Sequence, residues 1–317
     1  MIQVDSRIGN CPKYRLVLAE EPPPVNVPDE LRKCVVFLAF QKADGLTHLA
    51  GTGFCVHRSV SKFRRYQYLV TARHVIDGIR DLGLDRVLIR LNIEDGRSTW
   101  LESSLRDWVF HPSEPEVDVA IVRITILEPM DHASYPLESI VTQEFLRENS
   151  IGPGEEVFVT GLFVHHFGLS SNIPIVLAGN IAALPIEKVQ TEKGLIDAYL
   201  VEARSIGGIS GSPVFLHMGL VRHVDGQVRF LQASTSTNLI GSSVYLMGLV
   251  HGHFGSKESD LDTSSLDSGS DHDKINAGIA IVVPIWKVIE VVSQTRLRKE
   301  EDEADEAEQQ KNLPVMD

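Results

Sequence analysis

The sequence predicts an all-β fold, a barrel or a sandwich, followed by one C-terminal α-helix. Three observations point this way. About eleven short runs are rich in Val, Ile, Leu and Phe, and each is bounded by Gly, Pro, Asp, Asn or Ser. No amphipathic helical pattern is interleaved between them, which argues against alternating strand–helix units. A helical spacing of apolar residues emerges only near the end of the chain.

In chain order the expected strands are Cys34–Phe40, Gly53–Val56, Tyr68–Thr71, Arg86–Leu91, Val119–Ile126, Val157–Leu162, Ile173–Ala178, Ala198–Glu202, Pro213–Leu216, Val244–Val250 and Ala277–Val283. The helix follows Pro284, which suits a helix entrance, and Val288, Val291 and Val292 recur on one face. Residues 1–30 contain EPPPVNVP and read as an irregular N-terminal arm. Residues 254–275 are polar, acidic and rich in Ser and Gly, and read as a mobile loop between two core strands. The segment KEEDEADEAEQQ belongs to an acidic tail, expected over 297–317 as a solubilising extension.

Composition narrows the function. Thirty basic and 43 acidic residues give the 317-residue chain a net charge of −13, which repels phosphate backbones and anionic lipid; nucleic-acid and membrane binding are not expected. No apolar stretch reaches the roughly 18 residues of a membrane span, and the first fifteen residues lack the apolar segment of a secretory signal. The three cysteines, Cys11, Cys34 and Cys55, are odd in number and form no CxxC pair, so a cytoplasmic location is expected and a disulfide framework is not. His57, His111, His165, His166, His217, His223 and His272 do not repeat at metal-ligand spacing with carboxylates; no metal and no cofactor are expected.

Three segments carry residue types for nucleophilic catalysis. Tyr68-Leu-Val-Thr-Ala-Arg-His74 ends an apolar strand on an imidazole. Glu116-Val-Asp118-Val-Ala-Ile-Val opens a strand on a carboxylate. Gly207-Gly208-Ile-Ser210-Gly-Ser-Pro213 sets a serine among glycines, which permit a tight loop with neighbouring N–H groups aligned. Amide hydrolysis by a serine needs these parts: a base for the hydroxyl proton, a carboxylate to orient it, and fixed donors for the oxyanion. The order is His, Asp, Ser, at separations of 44 and then 92 in residue number.

Together, Thr71-Ala-Arg-His74, Asp118-Val-Ala-Ile and Gly208-Ile-Ser210-Gly-Ser-Pro213 resemble the signature segments of trypsin-like (chymotrypsin-fold) serine proteases, above all the HtrA-like bacterial branch. Gly51-Thr-Gly-Phe-Cys-Val, Gly154-Glu-Glu-Val-Phe-Val-Thr-Gly161, Gly179-Asn-Ile-Ala-Ala and Gly278-Ile-Ala-Ile-Val-Val-Pro284 resemble further parts of that domain. The resemblance spans about residues 34–295. It implies a double six-stranded antiparallel β-barrel over 31–296, with barrels at about 31–135 and 136–284 and the site in the cleft between them. It also implies a serine endopeptidase with His74, Asp118 and Ser210 as catalytic residues, Gly208 and Ser210 as oxyanion hole, and a protein or peptide substrate.

Several positions depart from the family pattern. Ile209 stands where secreted trypsins carry an Asp that pairs with a new N-terminus, so the serine loop must be set another way. Ser212 replaces a commoner glycine; its small side chain is expected to be tolerated there, with a tighter pocket rim as the alternative consequence. His251 lies where a serine often supports the catalytic Asp; it replaces that hydrogen bond, lines the specificity pocket with Val250, Gly252 and His253, or is a plain histidine. Arg204 falls at the pocket floor, where it would favour acidic substrates. HtrA proteases carry a PDZ domain after the protease domain; none is expected here. The alternative function is a silent or latent protease-fold module, used or activated through a regulatory protein partner.

Overall fold

The apolar runs become the strands of two sheets in the computed structural model, which describes residues 27–61, 64–203, 207–219, 221–224, 227–230, 244–257, 274–299 and 301. The first half contains α1 (Asp29–Lys33), β1 (Val35–Gln41), β2 (Thr47–Ser61), β3 (Arg64–Thr71), α2 (Arg73–Asp81), β4 (Arg86–Asn92), β5 (Ser98–Ser104), β6 (Val109–Phe110), β7 (Ala120–Ile124) and β8 (Tyr135–Pro136). Its strands form one sheet in the order β5-β4-β1-β2-β3-β7-β6, with β8 beside β2. The second half contains α3 (Gln143–Glu148), β9 (Glu156–Gly161), β10 (Ile175–Ala183), β11 (Val189–Thr191), β12 (Gly194–Ile196), β13 (Tyr199–Glu202), β14 (Pro213–His217), β15 (Val221–Val224), β16 (Gln227–Phe230), β17 (Val244–Lys257), β18 (Lys274–Pro284) and α4 (Ile285–Val292). Here β10-β13-β18-β17-β14-β9 close into a six-stranded barrel, and β11–β12 and β15–β16 are separate hairpins. The chain is therefore all-β as expected, one half a closed barrel and the other a half-barrel sheet whose β5 and β6 do not pair among the described residues.

Strand alternation explains the unbroken apolar run at 34–40. Val36 and Leu38 face a core with Leu69, Ile76 and Val122, inside the first sheet. Val35 and Phe37 face the opposite way, into a core shared with Phe215, Leu246 and Val288 of the second half. Both faces of β1 are thus buried, which is when a strand reads as continuously hydrophobic. A separate core fills the closed barrel around Tyr199, Val214 and Met247.

The structure differs from expectation in several elements, four of which bear on the site and its support; residues 1–26 of the arm expected over 1–30 lie outside the described residues, and its Asp29 and Glu30 begin α1. Residues 73–81 form helix α2, which the sequence reading left unassigned. Its Val75, Ile76 and Ile79 are buried, while Asp77 takes Arg73 (i, i+4) and Arg80 (i, i+3) on the outer face. Strand β5 was also unassigned; its residues are only partly buried, so its pattern carries no strong apolar signal. Strands β17 and β18 extend to Lys257 and from Lys274, into the segment read as a loop, and residues 258–273 lie outside the described residues. Finally, the chain past α4 is not a solvated tail from residue 297 onward, for Leu297 is fully buried and Glu301 is 3% exposed.

Glu301 takes hydrogen bonds from the Tyr68 hydroxyl and the Arg58 guanidinium, and its carbonyl accepts from Tyr66 Oη at 3.0 Å. Arg298 Nη1 adds a 3.2 Å contact to the same carboxylate. A buried carboxylate persists only with such partners. Upstream, Lys287 reaches Glu114 at 2.5 Å, His111 Nε2 donates to Glu290 at 2.7 Å and Gln294 Nε2 donates to Phe110 O at 2.7 Å. The segment from α4 to Glu301 therefore straps the end of the closed barrel onto the first sheet, including the loop 110–118 that precedes β7.

Glu301→Gln leaves Arg58 and Tyr68 without an anionic partner and is expected to cost about 1–3 kcal/mol, read as a lower urea midpoint at unchanged slope. The hydrogen bond from Lys287 is the main cause holding Glu114 below its ordinary range. A depressed folded pKa contributes stability above the unfolded value of about 4.3, lost as pH falls through the folded pKa. Glu114→Gln should accordingly flatten the stability curve on its acid side, below about pH 4.3, in chemical unfolding at stepped pH.

Candidate functional site

Sheet register brings the first two candidate residues together. Thr71, the last residue of β3, pairs with Ala120, the first of β7. His74 lies three residues beyond the one and Asp118 two before the other, so both sit at the same sheet end. His74 occupies the first turn of α2, and its backbone N–H donates to Asp118 Oδ1 at 2.8 Å. Its Nδ1 lies 2.7 Å from Asp118 Oδ2. An ionised carboxylate only accepts, so Nδ1 carries the hydrogen and Nε2 keeps the lone pair. That Nε2 has no hydrogen bond among the described residues, and the His74 side chain is 36% exposed.

Asp118 itself is 0% exposed. Burial alone pushes its pKa up, but hydrogen bonds from His251 and His74 outweigh it and hold the carboxyl well below the ordinary carboxylate range. Among the described residues no Lys or Arg contacts it; neighbouring Arg73 turns to Asp77 and to Pro115 O.

His251 arrives from the second half. Its Nδ1 is 2.5 Å from Asp118 Oδ2, and its ring stands edge-on to that of His74 with centroids 5.8 Å apart. The local cause is a bulge: Val250 pairs with Val282 and Gly252 with Ile281, leaving His251 as the extra residue of β17. A bulge re-aims its side chain out of the regular alternation. Of the readings open for His251, the structure thus selects the hydrogen bond to Asp118.

Ser210 sits in the turn before β14, closed by Ser212 N–H donating to Ile209 O at 2.9 Å. Thr52 N–H donates to Ser210 O at 3.0 Å, and Gly211 N–H to Val250 O at 2.8 Å, so the turn is tied to both halves. Gly211 has φ +82°, and a Cβ there would lie 2.3 Å from Thr52 O and 2.4 Å from Thr71 Oγ1. Only glycine fits, because the serine turn lies directly on the end of β3 that leads to His74. Gly51 serves the same approach from the other side: a Cβ would lie 2.9 Å from Val75 of α2 and 3.2 Å from Ser210 O. Among the described residues, the N–H groups of Gly208 and Ser210 have no acceptor.

The Ile209 side chain joins the core of the closed barrel, 3% exposed. Its burial contributes about 1.5–3 kcal/mol toward anchoring the loop. Thr52, which the sequence reading did not single out, braces the same loop. Its Oγ1 donates to Gly208 O at 2.8 Å and accepts from Leu162 N–H at 2.9 Å. The only available signal was its place in the Gly51-Thr-Gly-Phe segment. Ser212 is fully buried against Gly161 and so does not form a pocket rim.

The remaining predicted positions divide. Val250 is buried, and its backbone ties the serine turn to β17 through Gly211 and Ser212. Gly252 and His253 are half-buried beside it, and burial pushes His253 down, toward the neutral ring. Arg204 lies outside the described residues. Among the described residues, two groups bring three ligand atoms within 4.8 Å of one another: His74, Asp118 and His251, and His111, Glu114 and Glu290. In the second group the Lys287 ammonium stands among the carboxylates, and His111 Nδ1 accepts from Glu114 N–H at 3.1 Å, which makes it a structural cluster.

A family model for the trypsin-like peptidase domain matches residues 51–222. No curated protein matches the chain. Similar solved structures include Deg5 (17% identity, TM-score 0.45, covering 82% of this chain and 88% of that one). The MamO protease domain from Magnetospirillum magneticum, in its apo form, has 11% identity and a TM-score of 0.47 over 84% of this chain and 98% of its own. The drosophila Grass clip serine protease of the Toll pathway has 12% identity and a TM-score of 0.46 over 86% and 72%.

Thr52→Val removes both hydrogen bonds and leaves Gly208 O and Leu162 N–H unpaired. A loss of about 1–3 kcal/mol is expected in denaturant unfolding, and Thr52→Ser, which keeps the hydroxyl, should recover most of it.

Proposed function

The chain belongs to the trypsin-like peptidase family, and on that premise we propose that it is a serine endopeptidase acting through His74, Asp118 and Ser210. The observation that carries the reading is the commitment of His74 Nδ1 to a buried, ionised Asp118, which leaves Nε2 as the free base. In the proposed cycle Ser210 Oγ attacks the scissile carbonyl while Nε2 takes its proton. The resulting imidazolium is held against Asp118, and Nε2 then protonates the leaving amine to give an acyl-enzyme. Water repeats the sequence and releases the acid. A positioned base contributes about 10²–10⁴ in rate and an oxyanion donor about 10²–10³.

Three features support activity over a silent or latent module. Among the described residues the N–H groups of Gly208 and Ser210 have no acceptor, as donors awaiting an oxyanion must. The serine turn is braced on four sides by Thr52, Val250, Ile209 and the close approach at Gly51. Among the described residues the competing thiols are weak nucleophiles, since Cys34 and Cys55 are buried and burial pushes Cys55 up to about 12. Within this reading His251 positions Asp118 for His74, and the substrate is a protein or peptide.

Labelling with a fluorophosphonate probe, followed by intact mass, tests the reading on folded wild type, Ser210→Ala and His74→Ala. One adduct is expected on wild type, none on Ser210→Ala, and at least about 10²-fold slower labelling for His74→Ala. Folded wild type that takes no label overturns it.

A further inference from the structure

Two imidazoles and a carboxylate converge at the proposed centre, and among the described residues no Lys or Arg contacts the carboxylate. His74 Nδ1 and His251 Nδ1 approach the same oxygen, Asp118 Oδ2, at 2.7 and 2.5 Å. The carboxylate is buried and ionised, and the donors that satisfy it are an N–H of the backbone and two imidazole N–H groups. Negative charge enclosed in this way attracts a cation. Two imidazole nitrogens with one carboxylate oxygen is the donor set of zinc in sites that keep a fourth position for water, whereas magnesium and calcium favour oxygen alone.

We propose that zinc binds between His74 Nδ1, His251 Nδ1 and Asp118 Oδ2, and that the ion switches the centre off by holding His74 in the wrong tautomer. Tetrahedral coordination at ordinary zinc bond lengths sets ligand atoms about 3.3 Å apart, so each ring retreats by roughly 0.6–0.8 Å from its hydrogen-bonded position. His74, 36% exposed, is the more accessible ring and the point of entry from solvent, against 16% for His251.

The proton balance closes without loss of a proton. Each neutral imidazole gives its Nδ1 lone pair to zinc, and its hydrogen passes through water from Nδ1 to Nε2. The charge at the site rises from −1 for the three side chains alone to +1 with the ion bound. His74 Nε2 is then an N–H group and cannot accept the Ser210 proton. Binding rests on the geometry of the three side chains, and the loss of turnover rests also on the reading of His74 as the base.

The test titrates zinc chloride into the full chain against a fluorescent chelator, for wild type, His251→Asn and His74→Asn, with fluorophosphonate labelling in parallel. Expected are one zinc per chain in wild type and binding weakened at least roughly 100-fold in both variants. Wild-type labelling should stop as the site fills and return with EDTA, while millimolar magnesium or calcium leaves it unchanged. Cobalt should give the visible bands of a tetrahedral site in wild type and lose them in either variant, so one folded variant suffices. Wild type that binds no zinc, or binding that both variants leave unchanged, overturns the proposal. Zinc that binds at this site in a chain that takes no label without zinc overturns the peptidase reading and leaves the metal site standing.

Discussion

A single buried carboxylate organises this molecule. Asp118 is fully enclosed and charged, and that charge is tolerable only because three donors meet it: the His74 backbone, the His74 ring and the His251 ring. Those donors come from α2 at the end of the first sheet and from a bulge in the closed barrel. The two halves therefore meet at a point where neither alone satisfies the charge. A gap there would leave an ionised group unpaired in the interior, at a cost of several kcal/mol.

The serine turn obeys the same logic of shared support. Its backbone is tied to β2 through Thr52 and to β17 through Val250, while Ile209 is packed into the barrel core. Thr52 links Gly208 of the turn to Leu162 at the end of β9. The turn is thus positioned by contacts from both halves, and the strap from α4 to Glu301 ties the halves together at Tyr68 and Phe110. Loop 110–118, which delivers Asp118, is held by that strap at His111 and Glu114.

What the sequence disclosed follows from how local each cause is. The all-β class was legible because both faces of the central strands are buried, giving uninterrupted apolar runs such as Cys34–Phe40. The segments around His74, Asp118 and Ser210 were legible because a strand end, a strand start and a glycine turn each have a local signature. Helix α2 was not, since its buried residues are only Val75, Ile76 and Ile79 and its outer face reads as a polar loop. The contact of His251 depends on a bulge register between β17 and β18, and it joins side chains 133 positions apart. No spacing rule for metal ligands reaches across such distances, which is why the convergence of His74, Asp118 and His251 emerged only from the fold. The acidic stretch misled for a related reason: Glu301 looks like its neighbours in composition, yet Tyr66, Tyr68 and Arg58 select it for burial.

The choice of histidine at position 251 has a chemical consequence. A base that must become an imidazolium gains from a nearby carboxylate only while that carboxylate keeps its charge. An Arg at the same place would satisfy Asp118 more firmly, but its fixed positive charge would oppose the imidazolium that the proposed reaction requires. A serine would donate without charge and offer no second nitrogen. Histidine donates a strong hydrogen bond, leaves the negative charge in place, and brings a second metal-ligating atom to the same oxygen. The feature that keeps Asp118 ready to stabilise a cation on His74 is therefore the feature that makes the trio receptive to a cation from solution.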